Sequence, residues 1–155
     1  MDVTKRWLLI SVKPEYAARM FAGKKTAELR RVRPAVVRGD WVLVYASSPR
    51  KAILGAFQVE TTLERSPDDL WEICGESAAV SREAFDKYFE GSRLAFAILM
   101  ARIQLFPEPL QLEQIREHLP AFHPPQSYAY LGEGSQTGDA LLDLVAPTLE
   151  SILVK

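Results

Sequence analysis

A short run of charged and hydroxyl side chains is the part of the sequence best suited to chemistry. Lys24 and Lys25 stand at a predicted helix-to-strand turn, and Thr26, Glu28 and Arg30 alternate along the strand that follows. Because alternate residues of a strand point to one face, the hydroxyl, the carboxylate and the guanidinium share a side. A carboxylate there needs a cation or a wet cleft beside it, since burying it unpaired is costly. The run therefore predicts either a polar cleft or a strip of surface ion pairs.

Two further stretches have the residue types that bind nucleic acid. Tyr45 precedes a loop that contains Ser47 and Ser48 and ends in the basic Arg50. Serine and arginine side chains bind phosphate, while an aromatic ring stacks on a base. Tyr128, in a later Pro-rich segment, offers a second ring. The alternatives are an ordinary β-turn with solvated charges for the first stretch and a tyrosine that packs a loop onto the sheet for the second.

The elements that must position these residues follow from the hydrophobic periodicity. The pattern predicts strands over Trp7–Val12, Thr26–Arg31, Trp41–Tyr45, Ala52–Thr62 and Leu94–Phe106, with Pro107 and Pro109 ending the last one. It predicts helices from Pro14 to Gly23, Ser66 to Gly75, Ser81 to Gly91 and Leu112 to His118, then an irregular stretch to Gly138. A final helical segment, 139–154, should pack on the domain, kinked or divided at Pro147. The predicted fold class is therefore α+β, with a mainly antiparallel, closed sheet of about five or six strands.

Composition indicates one globular domain over residues 1–155. The chain is 48% apolar and 25% charged, and a domain of this length can form a substantial core. The longest apolar run has eight residues, far fewer than a membrane span needs, so we expect a cytoplasmic protein with no membrane partner. With one cysteine, Cys74, the chain can form neither an internal disulfide nor a cysteine-based metal site. No metal or cofactor is expected.

Charge is distributed unevenly along the chain. The net charge is −1, yet residues 1–51 carry twelve Lys and Arg against four Asp and Glu. A basic N-terminal third concentrates positive potential if its side chains share a face, which favours a nucleic-acid partner. The alternative is a scattered set of solvated charges.

The order of these motifs resembles the ASCH domain family of the PUA-like superfamily. The resemblance consists of an apolar first strand, a helix ending in Gly-x-Lys-Thr, a strand reading x-Glu-x-Arg, a Gly-Asp turn and a strand ending in a small-residue loop. The matching residues are Gly23, Lys25, Thr26, Glu28, Arg30, Gly39, Asp40, Tyr45-Ala46-Ser47-Ser48-Pro49 and Gly55, and the similarity continues through Leu94–Phe106 and Pro124–Tyr128.

The resemblance implies a small PUA-like β-barrel with flanking helices and a cleft. ASCH proteins bind RNA, occur in predicted transcription regulators and include hydrolases and nucleases. One enzyme type removes acyl groups from N4-acylated cytidine with a lysine, a threonine three residues later and a more distant glutamate. Lys25 matches that lysine and Glu83 the glutamate, but position 28 is Glu. That departure puts the same mechanism in doubt, although Lys25 and Glu28 could act as electrostatic stabiliser and general base.

The first hypothesis from these observations is a binding module for RNA or a modified nucleotide, with a regulatory role. The second is a hydrolase, either an amidohydrolase acting on an N4-acylated cytidine-like nucleoside or a ribonuclease, with Lys25, Glu28 and Glu83 as catalytic residues. A protein-interaction domain has no specific support in the sequence. The predicted nucleic-acid-binding residues are Lys24, Lys25, Thr26, Arg30, Arg31, Tyr45, Ser47, Ser48, Arg50 and Tyr128.

Overall fold

A computed structural model describes residues 6–131 and 136–153, with side chains described as far as residue 151. The strands are β1 Trp7–Val12, β2 Ala27–Arg30, β3 Trp41–Ala46, β4 Ala52–Arg65, β5 Ala95–Gln111 and β6 Tyr128–Leu131. The helices are α1 Pro14–Phe21, α2 Pro67–Cys74, α3 Arg82–Tyr88, α4 Leu112–His118 and α5 Gln136–Leu153.

The six strands form one mixed sheet in the order β2-β5-β4-β3-β1-β6. Among the described residues, β1 and β3 are the one parallel pair, and the other four pairings are antiparallel. The sheet curls into a half-barrel with the helices around it, which confirms the predicted α+β class and small barrel. Within the described ranges, the two edge strands, β2 and β6, do not pair with each other through their backbones. A hydrogen bond from Arg30 of β2 to Ser127, just before β6, joins the two edges instead.

The apolar residues of the sheet and helices form three clusters. One cluster packs α4 and α5 against β1 and β3 and includes the stacked rings of Trp7 and Trp41, 5.8 Å apart. Another packs α1 on the opposite side of β1 and β3, as the strand alternation requires. The last packs α2 and α3 against β2 and β5. None of the helices in the described ranges is long and apolar enough to cross a membrane.

Several helices in this chain begin and end at the capping residues that the sequence predicts. Ser66 and Ser81 each accept a hydrogen bond from the backbone N–H three residues later, at the first turns of α2 and α3. After α1, Gly23 adopts a left-handed φ of 77°, which turns the chain from the helix into β2. These signals fix where β2 and α3 begin, and so which of their side chains face each other.

The prediction that Pro107 and Pro109 end the long strand is wrong, because β5 continues to Gln111. Gly55 pairs with Leu105 and Ile53 with Leu110, so the residues between Leu105 and Leu110 bulge out opposite a single residue of β4. Both prolines fall in this bulge, where the ladder needs no N–H from them.

Two C-terminal expectations also require correction. Strand β6, within the stretch predicted to be irregular, is a short edge strand that pairs with β1 and therefore lacks the long apolar run of a central strand. Helix α5 is not divided at Pro147, which lies on its exposed side. Packing of Leu141, Val145 and Leu149 into the core compensates for the hydrogen bond that the proline cannot donate.

Candidate functional site

A cavity of about 460 Å³ lies between α1, β2, α3 and the segment that precedes β6. Its volume falls within the range of small-molecule pockets, roughly 300 to 1,000 Å³. It is lined by Ser11, Val12, Lys13, Tyr16, Lys25, Glu28, Leu29, Arg30, Ser47, Val80, Ala84, Phe85, Tyr88, Gln126 and Ser127.

Glu28 and Arg30 form an incompletely satisfied ion pair in the wall of this cavity. Glu28 Oε1 lies 3.4 Å from Arg30 Nη2, and each side chain is only 11% exposed. Arg30 Nη1 donates to Ser127 Oγ at 2.8 Å. Glu28 Oε2, Arg30 Nε and Arg30 Nη2 are buried and have no hydrogen-bond partner among the described residues. Buried polar groups are nearly always hydrogen-bonded, so these three atoms indicate capacity for a ligand.

Lys25 is a buried cation beside this pair. Its Nζ donates to the carbonyl oxygen of Ala78 at 2.7 Å and lies 5.3 Å from the centre of the Tyr16 ring. Burial lowers the pKa of the Lys25 ammonium below its ordinary value of 10.5, and the charge of Glu28 partly opposes this decrease. Lys25 therefore both anchors the turn before α3 and presents an acidified ammonium group to the cavity.

The segment before β6 closes the cavity on one side. Ser11 holds this segment through its side chain, which donates to Pro125 O at 2.6 Å, and through its backbone N–H, which donates to Ser127 O at 3.0 Å. With the bond from Arg30 to Ser127, these contacts bridge the two edges of the half-barrel. The wall is therefore fixed by hydrogen bonds instead of apolar packing alone.

Two tyrosines supply aromatic surface to the cavity. Tyr16 lies on α1 and Tyr88 on α3, and the Tyr88 hydroxyl donates to Leu29 O at 3.3 Å. Burial raises the pKa of Tyr88 above its ordinary value of 10.0, so this phenol stays protonated at neutral pH. Aromatic and apolar walls around a few polar groups are typical of pockets that hold a flat polar ligand.

The structure brings four of the sequence-predicted site residues to the cavity: Lys25, Glu28, Arg30 and Ser47. Glu28 and Arg30 line the cavity as the strand alternation predicts, and Ala27 and Leu29 contribute to a core cluster, although Leu29 also reaches the cavity wall. Thr26 is half-buried beside it, and its backbone N–H donates to Ser77 O at 2.8 Å.

The structure does not bring Glu83 or Tyr45 to the cavity. Glu83 is exposed, because the helix that starts after Ser81 turns Ala84 and Phe85 toward the cavity instead. Tyr45 is buried in the core beneath α4 and α5, on the sheet face opposite to α1. Tyr128 packs against the apolar cluster under α1. The remaining predicted residues are exposed outside the cavity lining: Lys24, Arg31, Ser48 and Arg50.

Sequence reasoning missed several residues of the cavity: Ser11, Lys13, Tyr16, Tyr88, Gln126 and Ser127. Gln126 and Ser127 directly precede Tyr128, the residue of this segment that was predicted to bind nucleic acid. Tyr88 lies three residues after Phe85, so helical spacing could have placed both on one face. Nothing in the sequence shows that Ser11 meets the chain more than a hundred residues later. Over the described residues, no cluster of three or more His, Cys, Asp or Glu could hold a metal ion.

Comparison with known proteins supports the architecture and the motifs. The ASCH domain model matches residues 10–104. An ASCH domain-containing ribonuclease from Zymomonas mobilis is 34% identical over 123 residues, which cover 79% of this chain and 82% of that protein. A crystal structure of an ASCH protein from Zymomonas mobilis superposes with a TM-score of 0.80 at 32% identity, covering 89% of this chain and 94% of the other. A crystal structure from Pseudomonas putida, 17% identical with a TM-score of 0.54 and covering 90% and 98% of the two chains, shares the fold alone.

The matched region contains most of the residues on which the resemblance was based, although not the segment Pro124–Tyr128. It spans more than half of the chain and includes Lys25, Glu28 and Arg30, three of the four charged residues that line the cavity. Sequence identity, fold and motif order agree, and the resemblance inferred from the sequence is confirmed. The chain belongs to the ASCH domain family.

Proposed function

We propose that this chain binds single-stranded RNA and takes the base of one nucleotide into the cavity. The observation that carries the proposal is the set of buried, unpaired polar atoms on Glu28 and Arg30, two side chains that line a cavity of nucleoside-compatible size. RNA-binding proteins hold splayed bases by stacking on aromatic rings and by hydrogen bonds to base edges. Tyr16 and Tyr88 supply the aromatic surface here.

The unpaired atoms match one base edge better than the others. Glu28 Oε2 is one acceptor, and Arg30 Nε and Nη2 are two donors. Cytosine presents the complement, an amino donor at N4 and acceptors at N3 and O2. Uracil has one donor between two acceptors, guanine has two donors and one acceptor, and adenine has one donor beside a single acceptor. After small side-chain rotations, Glu28 and Arg30 would therefore bind cytosine in preference to the other bases.

The same complement covers a modified nucleoside. A cytidine that carries one substituent on N4 keeps one N4 hydrogen and both ring acceptors, so it can make the same three hydrogen bonds. Of the lysine, threonine and glutamate associated with deacylation in the resemblance, however, only Lys25 lines the cavity. The chain's own geometry therefore supports recognition of such a nucleoside more strongly than its hydrolysis.

A second candidate function is cleavage of RNA. It is favoured by the description of the Zymomonas mobilis relative as a ribonuclease and by the acidified Lys25 ammonium in the same cavity as the Glu28 carboxylate. In this alternative the carboxylate takes the proton of a ribose 2′-hydroxyl, and the 2′-oxygen attacks the neighbouring phosphorus. The bond to the 5′-oxygen breaks, and Lys25 gives that oxygen a proton. Glu28 cannot accept a hydrogen bond from a nucleobase and act as the general base at the same time. Base recognition and RNA cleavage therefore use this carboxylate in different ways, and an experiment can separate them.

Fluorescence anisotropy with short single-stranded oligomers of C, U and A tests the proposal. We expect tighter binding of the C oligomer by about tenfold, and a loss of most of this preference in Glu28→Gln, because the neutral amide accepts less strongly from cytosine N4 and can instead donate to uracil O4. Glu117→Gln, an exposed carboxylate on α4, is the matched control. Equal affinity for all oligomers in both proteins would contradict the base assignment.

The products of the same incubations separate the two functions. Wild-type protein that cleaves labelled RNA, together with a Glu28→Gln variant that binds but no longer cleaves, would establish Glu28 as the general base. RNA recovered intact from the wild-type protein would leave binding as the function. Affinity should also fall as salt rises, because lysine and arginine contacts to phosphate release counterions. Salt-independent binding would argue against a phosphate-containing partner.

A further inference from the structure

The loop of residues 31–38, here called the arginine loop, connects β2 to β3 and begins directly after Arg30 of the cavity wall. Residues 30–38 contain four arginines and no acidic residue. Arg31, Arg33 and Arg38 are exposed, and Arg33 pairs with Glu64. The loop therefore places positive charge beside the cavity, and this charge has no role in the site chemistry described above.

The arginine loop is held in place by a network of hydrogen bonds. Asp40 Oδ2 accepts from the Val37 N–H at 2.9 Å, and Gly39 N–H donates to Val59 O at 2.9 Å. The Tyr130 hydroxyl of β6 donates to Ala35 O at 2.7 Å. A surface ordered in this way presents its side chains without the entropic penalty of ordering a flexible loop on binding.

Exposed apolar and aromatic surface accompanies the charge. Val32 is 71% exposed, Val37 61% and Tyr130 42%, which are high values for such side chains. Tyr130 contacts the loop through Ala35 and lies three residues after Ser127, which is a cavity residue. The guanidinium of Arg6, which pairs with Asp40, lies 5.6 Å from the centre of the Tyr130 ring, so the rest of this exposed ring is the part open to stacking. Exposed aromatic surface together with exposed arginines has the composition of a surface for single-stranded nucleic acid, where bases stack and phosphates meet cations.

We propose that the arginine loop and Tyr130 bind the RNA nucleotides next to the one held in the cavity. The inference rests on the proposed function and extends it from one nucleotide to several. Both parts of the surface are connected to the cavity wall along the chain, since Arg30 is followed directly by the loop and Ser127 by the strand that carries Tyr130. The loop contains no acidic residue, and Arg31 and Arg38 form no ion pair with any of the described residues, whereas Arg33 is paired with Glu64. Two such cations favour a phosphodiester chain over an acidic peptide, whose apolar side chains would need a groove.

A comparison of ligand lengths tests this proposal. The probes are cytidine monophosphate, which fills the cavity alone, and a fluorescent C hexamer, which extends beyond it. For the wild-type protein we expect the hexamer to bind at least about tenfold more tightly. In the Arg31→Gln, Arg38→Gln variant the hexamer should lose most of this gain, and the slope of log affinity against log salt should fall by about 1.4 for two phosphate contacts. Affinity for the monophosphate should change less than about twofold.

The control variant removes two exposed cations elsewhere, Arg65→Gln with Lys87→Gln, and should retain hexamer affinity. Tyr130→Phe should also retain it, whereas Tyr130→Ser should lose about tenfold, the effect of one lost stacking contact. Equal losses in the loop variant and the control would overturn the proposal by indicating general attraction to a basic protein. A hexamer that binds wild-type protein no better than the monophosphate would overturn this inference alone. Wild-type protein that binds neither probe would overturn the proposed function first.

Discussion

Two ion pairs of this chain, Arg6–Asp40 and Arg30–Glu28, differ in how completely their polar atoms are paired. Arg6 Nη2 lies 2.9 Å from Asp40 Oδ2 and also donates to Ala35 O, while the same carboxylate oxygen accepts from the Val37 N–H. In the second pair the separation is 3.4 Å, and three buried atoms lack hydrogen-bond partners. The Arg6–Asp40 pair is therefore part of a hydrogen-bonded loop, whereas the Arg30–Glu28 pair can still form further hydrogen bonds.

The difference separates a structural pair from a binding pair. A buried charge stabilises a fold only when its partner and its further hydrogen bonds offset the loss of hydration. Asp40 meets this condition, because it receives both a guanidinium and a backbone N–H. Among the described residues, Glu28 and Arg30 lack the hydrogen bonds that would fully offset their lost hydration. Their geometry is therefore explained more readily by the binding of a ligand than by a contribution to the stability of the fold.

The largest expected effect is on folding. Asp40→Asn removes the charge that holds Arg6 and weakens the bond from Val37, so we expect the free energy of unfolding to fall by about 2 kcal/mol. Glu28→Gln removes a charge whose desolvation is incompletely compensated, so it should change stability by less than about 1 kcal/mol. Urea unfolding monitored by tryptophan fluorescence measures both. Equal destabilisation by the two substitutions would remove the distinction between the pairs.

The sequence was sufficient to predict most of the sheet and the chemistry of β2. Apolar runs bounded by turn residues located β1 and β3, and strand alternation placed Glu28 and Arg30 on one polar face. These predictions depend on contacts between neighbours along the chain, for which periodicity is direct evidence. The acidified state of Lys25 was beyond sequence reasoning, because it depends on burial by α1 and the turn before α3.

The missed and misplaced residues depend on contacts between distant segments. Tyr45 has the residue type of a stacking platform, but the packing of α4 and α5 buries its face of β3. Glu83 has a suitable charge, but the phase of α3 points it outward. Ser127 joins the site only because β6 pairs with β1, and a four-residue edge strand leaves little periodicity to detect.

Replacing the arginine of each ion pair, Arg30 or Arg6, by lysine tests the same comparison with a smaller expected effect. Arg30→Lys loses the two-pronged Nε and Nη2 edge, so affinity for the C oligomer should fall by about tenfold while stability changes little. Arg6→Lys is the matched substitution in the structural pair and should show the opposite division, with a modest loss of stability and an unchanged RNA affinity. Anisotropy and urea unfolding on both variants provide the measurements. A loss of affinity in Arg6→Lys that equals the loss in Arg30→Lys would count against the cavity as the binding site.

The smallest expected effect is a pH dependence contributed by Lys25, the third charge of the cavity. Its pKa is lowered by burial, so between the folded-state value and 10.5 the folded protein binds fewer protons than the unfolded chain. Stability therefore rises with pH across that window, as the uncharged amine becomes the stable form in the fold. The raised pKa values of Cys74 and Tyr88 act in the opposite direction.

The difference between wild type and Lys25→Met isolates the contribution of Lys25. The variant should be less stable at neutral pH because the bond to Ala78 is lost, and the gap should widen as pH approaches 10.5 because only the wild type gains stability by deprotonation. Urea unfolding at several pH values from about 7 to about 10 measures the gap. A constant gap would mean that Lys25 keeps its ordinary pKa, which would remove the argument for Lys25 as an acidified proton donor in RNA cleavage.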